Sequence, residues 1–246
     1  MDYSLLLLIY FAVVAFATAI LHSVGGFAGA LMMAIALAPF IGVKETVPMV
    51  ATAMVISHAS RAWLFRNAVD WGAFRMLFLF GLPFIVLGVL FYVELSEKAV
   101  ALFLGCFLLI TMPLRRYLSG KSITVPRKAL AAVAVPYGFL SGASFGVGMI
   151  LAPFLLGAGI TGETLVATVA VAGLMLNVTK TVAFGLSPLL TADLAALGVM
   201  LGLCTIPGHK VGRWIVRRTS IRVHTLMLEA FVTFGAIYML WKGLNG

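Results

Sequence analysis

His22-Ser-Val-Gly-Gly-Phe-Ala-Gly-Ala-Leu-Met-Met33 interrupts a long apolar run near the start of the chain. A related stretch, Leu140-Ser-Gly-Ala-Ser-Phe-Gly-Val-Gly-Met-Ile-Leu151, follows 118 residues later. In both stretches, glycine and serine replace the large apolar residues of an unbroken membrane helix. Glycine weakens a helix, and in a bilayer the freed backbone groups need partners in protein or around a watery cavity. Paired breaks in two corresponding segments indicate the binding site of a transporter.

Composition predicts an all-α integral membrane protein. The chain has 246 residues, of which 63% are hydrophobic and 10% are charged, whereas soluble domains average about 45–50% and 25%. Several apolar stretches reach the roughly 18 residues needed to cross a bilayer. Most Lys and Arg residues lie in short loops, so the net charge of +9 indicates membrane orientation and not nucleic-acid binding.

The second half of the chain repeats the first. Offsets of 118 residues align the two breaks, and further matches follow them: Ser23 with Ser141, Phe27 with Phe145, Ala34 with Ala152, Glu45-Thr46 with Glu163-Thr164, and, with a few inserted residues, Asp70 with Asp193, Pro83 with Pro207 and Gly88 with Gly212. We therefore predict a single membrane domain over 1–246, with repeat 1 at 4–117, repeat 2 at 127–243 and a basic linker at 115–128.

Charge placement predicts that the two repeats have inverted topology. The loop bounded by Arg61, Arg66 and Arg75 and the 115–128 linker are basic, which is typical of the cytoplasmic side. The 94–97 and 185–192 loops carry no Arg or Lys. The loop that follows 185–192 is basic and contains Lys210, Arg213, Arg217, Arg218 and Arg222. Corresponding loops then lie on opposite sides, and both termini are external.

This orientation makes the broken segments leave and return to one face. Residues 4–42 and 129–161 are too short for two full crossings each. Each segment is either a pair of short helices or a re-entrant hairpin with the glycine break at its tip. We expect six full spans and two such glycine-broken hairpins, so that each repeat contains a hairpin and three transmembrane helices.

The two breaks are the first candidate substrate-binding positions. Backbone N–H groups at a helix start, together with serine hydroxyls, suit a small oxyanion. The alternative is close helix packing, because small residues are common where membrane helices touch. The candidates are Ser23, Gly25 and Gly26 in the first repeat and Ser141, Ser144 and Gly146 in the second.

The helices that follow the breaks carry polar residues within apolar sequence. Ser57 and Arg61 share one helix face, and Asn177 and Lys180 share another. A cation on each of two symmetry-related helices would neutralise a divalent oxyanion, since intramembrane charges are costly and functional. Alternatively, both cations extend their stems to the membrane surface.

Histidines and carboxylates are candidates for proton transfer. His22 and His58 lie in apolar surroundings and imidazole titrates near neutral pH; the alternative is a buried neutral ring with one hydrogen bond. Glu45 and Glu163 stabilise helix starts or relay protons, and Asp70 and Asp193 fit loop or capping positions. The sequence contains no catalytic motif, no nucleotide-binding loop and no metal-ligand spacing, so we expect no enzyme, no cofactor and transport driven by gradients.

The glycine-rich breaks, the Glu-Thr steps after them, and Asn67-Ala-Val-Asp-Trp71 make the chain resemble the TauE/SafE sulfite exporter family over nearly its whole length. The resemblance implies a multi-pass protein of a bacterial inner membrane that moves sulfite, organosulfonates or related small anions. Ala28 and Val147 depart from a fully glycine-rich break.

The leading prediction is a secondary transporter of a small anion, sulfite or an organosulfonate, with alternating access at a midplane site between the two breaks. Small carboxylates are an alternative substrate class. A non-transporting assembly partner of another membrane complex is the alternative from a different class. The expected partners are the anion, the lipid bilayer and possible further copies of the chain.

Overall fold

The computed structural model describes residues 4–25, 29–119, 124–216 and 221–245. Side chains are described throughout these ranges except at 23–25, 112, 115, 119, 149, 213, 215–216, 221–229 and 231. The described residues are almost entirely helical and contain no strand. This confirms the predicted all-helical fold.

The described part of the chain forms ten α-helices, five before and five after the 120–123 gap. The first five are α1 (Leu5–Gly25), α2 (Gly29–Ile41), α3 (Val43–Leu64), α4 (Trp71–Glu94) and α5 (Glu97–Ser119). The second five are α6 (Leu130–Ala143), α7 (Gly148–Gly157), α8 (Gly162–Gly185), α9 (Ala192–Val216) and α10 (Ile221–Asn245). Short 3₁₀ turns precede α4 and α6.

Both predicted breaks separate two helices. The first break falls between α1 and α2, and its residues 26–28 lie outside the described residues. The second falls between α6 and α7, where Ser144 is extended (φ −147°) and Gly146 has φ 77°. Residues with a Cβ rarely adopt this left-handed conformation, so the turn into α7 depends on a glycine at position 146.

The helix lengths differ from the predicted hairpins in one respect. α6 and α7 have 14 and 10 residues, as expected of a pair of short helices. α1 has 21 residues, about 31 Å at a rise of 1.5 Å per residue, so of the two arrangements that the sequence left open, a pair of short helices does not describe the first segment. Its break lies late in the segment and leaves one full-length helix before it.

Five helices of the described residues are long and apolar enough to cross a membrane, and they are α1, α4, α5, α8 and α9. The predicted set of six spans included α3 and α10 and excluded α1. α3 is less apolar because Lys44, Glu45 and Arg61 interrupt it. The side chains of α10 are described only at 230 and 232–245.

Two loops are shorter than predicted, because the neighbouring helices continue into them. α5 continues to Ser119, so it includes Arg116. α9 continues to Val216 and includes Lys210. Arg61 lies on α3, as predicted from the sequence. Arg116 and Lys210 therefore lie on helices, and the basic loops contain fewer residues than the sequence suggested.

The helices of the two halves pack against each other in matching pairs. α1 packs on α9, and α4 packs on α6, so the first helix of each half contacts the fourth helix of the other. α3 packs on α8, and α5 packs on α10. Gly105 lies beside Leu240 and Gly243 beside Leu102, so α5 and α10 run antiparallel.

Glycines permit the closest of these contacts. A Cβ at Gly142 of α6 would collide with the Ile85 carbonyl oxygen and would lie 3.0 Å from the Gly88 Cα of α4. Gly138 and Gly81 of the same two helices are in similar contact. The packing role that the sequence offered as an alternative is thus found at Gly142, within the second glycine-rich stretch, and at Gly138 before it.

Candidate functional site

A cavity of about 60 Å³ lies beside the second break. We call it the anion cavity. α1, α2, α3, α6 and α8 each contribute side chains, and the break itself closes one side. Its polar lining residues are His22, His58, Tyr137, Ser141, Ser144, Asn177 and Lys180. Elements from both halves of the chain therefore meet around one small polar space.

Lys180 provides a positive charge inside this cavity. Its residue surface is only 2% exposed, and its Nζ donates to the Ser144 carbonyl oxygen at 2.7 Å. The prediction offered an alternative in which the Lys180 stem carried the ammonium to the membrane surface, and the structure does not place it there. A buried ammonium is costly unless hydrogen-bonded or paired, and a backbone carbonyl leaves its other two donors for a ligand.

Asn177 lies one helical turn before Lys180 on the same face of α8. Its Nδ2 donates to the Gly173 carbonyl oxygen at 2.7 Å, which fixes the orientation of the amide. A Cβ at Gly173 would lie 2.8 Å from the His58 ring. Gly173 therefore allows the His58 imidazole of α3 to lie directly against the α8 backbone beside Asn177.

Two polar atoms of the cavity wall lack hydrogen-bond partners among the described residues. They are His58 Nδ1 and Ser141 Oγ, and their residues are 8% and 3% exposed. Ser141 also neighbours the Tyr137 hydroxyl, although that contact lacks good hydrogen-bond geometry. Buried polar groups normally have partners, so both atoms are suited to meet a bound polar ligand.

The start of α7 forms the remaining side of the cavity. Gly146, Val147 and Gly148 line it, and the first N–H groups of a helix have no acceptor within that helix. Together with the partial positive charge at a helix start, these groups favour an anion. The structure therefore places a helix start, a buried ammonium and serine hydroxyls around one space.

The first repeat has a different arrangement at the corresponding position. There, the Gly29 N–H at the start of α2 donates to His22 Nδ1 at 3.0 Å. The Arg61 Nη1 lies 2.7 Å from His22 Nε2. Position 140, which follows His22 by 118 residues, is a leucine, so the imidazole that contacts the start of α2 has no counterpart at this position near the start of α7.

Ser57 and His209 lie next to His22 and Arg61 and add two polar side chains to this region. The Ser57 Oγ lies 2.7 Å from the His209 Nε2 of α9. The His22 ring centre lies 5.6 Å from those of His58 and His209. We call His22, His58 and His209 the histidine cluster. Of these, His22 and His58 also line the anion cavity, so the two polar groups adjoin.

The predicted site residues thus fall into three sets. Ser141, Ser144, Gly146, Asn177 and Lys180 line the anion cavity together with both proton-coupling candidates. Ser57 and Arg61 belong to the histidine cluster's surroundings instead. Gly26 lies outside the described residues, and the side-chain surroundings of Ser23 and Gly25 are likewise not described.

Three contributors were not predicted from the sequence, namely Tyr137, Gly173 and His209. His209 follows Pro207-Gly208 inside an apolar run, and a lone polar residue there was a usable signal. Tyr137 and Gly173 gave no comparable signal, because an aromatic residue and a glycine are ordinary in membrane helices.

The chain matches a known protein family along nearly its whole length. A family model described as Sulfite exporter TauE/SafE matches residues 10–239, nearly the whole chain. This confirms the resemblance inferred from the glycine-rich breaks, and the family is one of membrane transporters. No curated protein and no solved structure matches the chain.

Proposed function

The chain belongs to the sulfite exporter TauE/SafE family, and we propose that it is a gradient-driven transporter of a small sulfur oxyanion, with sulfite as the first candidate. The anion binds in the anion cavity. Lys180 supplies the charge, and Ser141 and the start of α7 supply hydrogen-bond donors, whereas the Ser144 hydroxyl donates to the Leu140 carbonyl oxygen at 2.7 Å. Asn177 contributes to the same wall.

The observation that carries this proposal is the position of Lys180 at the second break. Lys180 is 2% exposed, and its ammonium contacts the carbonyl of Ser144, the residue at which α6 ends. A charge buried in a membrane protein marks a substrate or ion pathway by default. Here it lies where broken backbone also offers N–H groups, which is the arrangement that transporters use for anionic groups.

The size of the cavity favours a small ligand. One water needs roughly 10–15 Å³ of such space, so about 60 Å³ holds about four to six water-sized groups. Sulfite, with one sulfur and three oxygens, fits this volume. Organosulfonates with longer carbon chains need the cavity to widen, so we place them second, and small carboxylates third.

Helix packing supports an inverted repeat with alternating access. In chain order, α1 corresponds to α6 and α4 corresponds to α9. The contact of α1 with α9 therefore becomes the contact of α6 with α4 when the two halves are interchanged. The corresponding helices α5 and α10 run antiparallel, as expected when the symmetry axis lies in the membrane plane. We propose that one repeat, 4–117, moves against the other, 127–243, and exposes the cavity alternately to each side.

The membrane orientation follows from the remaining basic loops. Arg66, Arg75, Arg127 and Lys128 flank the connections before α4 and before α6, which we assign to the cytoplasm. Both termini are then external, and the membrane is a bacterial inner membrane. The non-transporting alternative required small-residue faces free for a partner, but Gly81, Gly88, Gly138 and Gly142 are used for contacts within this chain.

Ligand-dependent thermal stabilisation of the purified protein tests the proposal. A ligand that binds only the folded state stabilises it by mass action, by about 2.7 kcal/mol at a hundredfold excess over Kd. We expect sulfite to raise the unfolding temperature more than acetate or chloride does at equal ionic strength. An equal response to all three anions would remove the substrate assignment.

A further inference from the structure

The histidine cluster has a connection to the anion cavity that the transport proposal does not use. Three of the chain's four histidines meet there, from α1, α3 and α9. Two of them, His22 and His58, also line the cavity. Imidazole is the side chain whose charge changes near neutral pH, so a proton bound in this cluster lies next to the bound anion.

His22 cannot take up a proton without losing its present contacts. Its Nδ1 accepts from Gly29 N–H at 3.0 Å, and its Nε2 faces Arg61 Nη1 at 2.7 Å. Both neighbours are donors, whereas a neutral imidazole offers one lone pair and a protonated one offers none. Protonation of His22 therefore opposes both contacts.

His209 can hold a proton but points away from the ligand. Its Nε2 contacts the Ser57 hydroxyl, which donates to a neutral ring and accepts from a protonated one. The ring also bonds to the Ala19 backbone. His209 does not line the anion cavity, so a proton there would not reach a bound anion directly.

His58 has a ring nitrogen that is free to take up a proton, and it also lies beside the anion cavity. Its Nδ1 is buried and has no partner among the described residues, and the ring borders the cavity. A proton on this nitrogen adds an N–H donor that a bound oxyanion accepts. The charged and titratable groups around it are Arg61 on its own helix, His22 on α1, His209 on α9, Lys180 on α8 and Tyr137 on α6.

The charges of these neighbours favour joint binding of a proton and an anion over binding of either alone. Arg61 and Lys180 are cations, so they disfavour a further positive charge on His58 while the cavity is empty. A bound anion offsets that repulsion, because an opposite charge within a few ångströms favours the protonated ring. By linkage, the proton in turn strengthens anion binding.

We propose that His58 binds one proton together with the anion, so that anion transport is coupled to proton movement in the same direction. This inference rests on the proposed function, because it needs an anion in the cavity. The step forms one N–H bond at His58 Nδ1 with a proton from water, and no electron is transferred. His22 and His209 position the ring and are not required to carry the proton.

Proton uptake on anion binding tests the inference with the wild-type protein alone. Purified protein in weak buffer is mixed with thiosulfate, which stays ionised across the neutral range, and a pH indicator reports the change. We expect uptake of about one proton per bound anion and an affinity that falls about tenfold per pH unit on the alkaline side. Binding without uptake and without pH dependence overturns the coupling but leaves the anion site in place.

Variants then assign the proton. His58→Gln is expected to bind thiosulfate more weakly, with no uptake and no pH dependence, whereas His209→Gln is expected to keep the uptake. Uptake that persists in His58→Gln overturns the assignment to His58. If neither sulfite nor thiosulfate binds the wild-type protein in an equilibrium assay, the proposed function fails and this inference fails with it.

Discussion

Replacing Lys180 by methionine removes the cavity's ammonium and keeps most of its apolar stem. In the structure Lys180 is 2% exposed, and its ammonium donates to the Ser144 carbonyl oxygen at 2.7 Å. A hydrogen bond to a charged group contributes about 1.5–3 kcal/mol, and each 1.4 kcal/mol is about tenfold in affinity. We therefore expect Lys180→Met to weaken sulfite binding by about 10- to 150-fold.

The variant should fold, since replacing a buried charge by an apolar side chain of similar volume is often neutral for stability. Isothermal titration of sulfite into detergent-purified protein measures the change. Lys44→Met is the matched control: its ammonium also donates to backbone carbonyls, those of Val93 and Leu95, and it does not line the anion cavity. Sulfite affinity within twofold of wild type in Lys180→Met would refute the reasoning, as would an equal loss in the control.

The remaining predictions concern stability, measured by thermal unfolding in detergent. Gly146→Ala should lower the free energy of unfolding by about 1–2 kcal/mol, because Gly146 has φ 77°. Gly185→Ala is the control, since a Cβ at Gly185 meets no atom within 4 Å. An equal loss of stability in both variants would contradict backbone strain at position 146. Gly142→Ala should cost about 1–3 kcal/mol by overpacking against Ile85, and an unchanged unfolding temperature would contradict the close α4–α6 contact. Asp70→Ala should cost about 0.5–2 kcal/mol because its Oδ1 caps α4, whereas Asp70→Asn should retain most of that stability.

The helix breaks could be predicted from the sequence because they are encoded locally, and Lys180 could be singled out as a candidate for the same reason. The break between α6 and α7 is marked by glycine and serine within a few residues, and Lys180 is a charged residue within apolar sequence. The cap at Asp70 was also predictable, since aspartate before a helix accepts from the backbone. Glu45 and Glu163 lie in the first turns of α3 and α8, as the capping alternative expected.

Other features depend on contacts between distant segments, which composition and spacing do not reveal. The neighbourhood of His209 and Ser57 requires α9 to pack on both α1 and α3. The sequence placed Arg61 on a helix but did not reveal that its guanidinium contacts His22 of α1. Hydropathy measures how apolar a segment is, but it does not show where a helix ends within that segment. The full length of α1 was therefore not predicted.

Exchange of radiolabelled sulfite across proteoliposomes tests most directly whether this chain carries anions through the anion cavity. Vesicles are loaded with unlabelled sulfite, and labelled sulfite is added outside. We predict rapid accumulation of label with wild type and with Lys44→Met, strong loss with Lys180→Met, and competition by thiosulfate. Label uptake no faster than in empty vesicles, from protein that unfolds cooperatively and is therefore intact, would contradict the account.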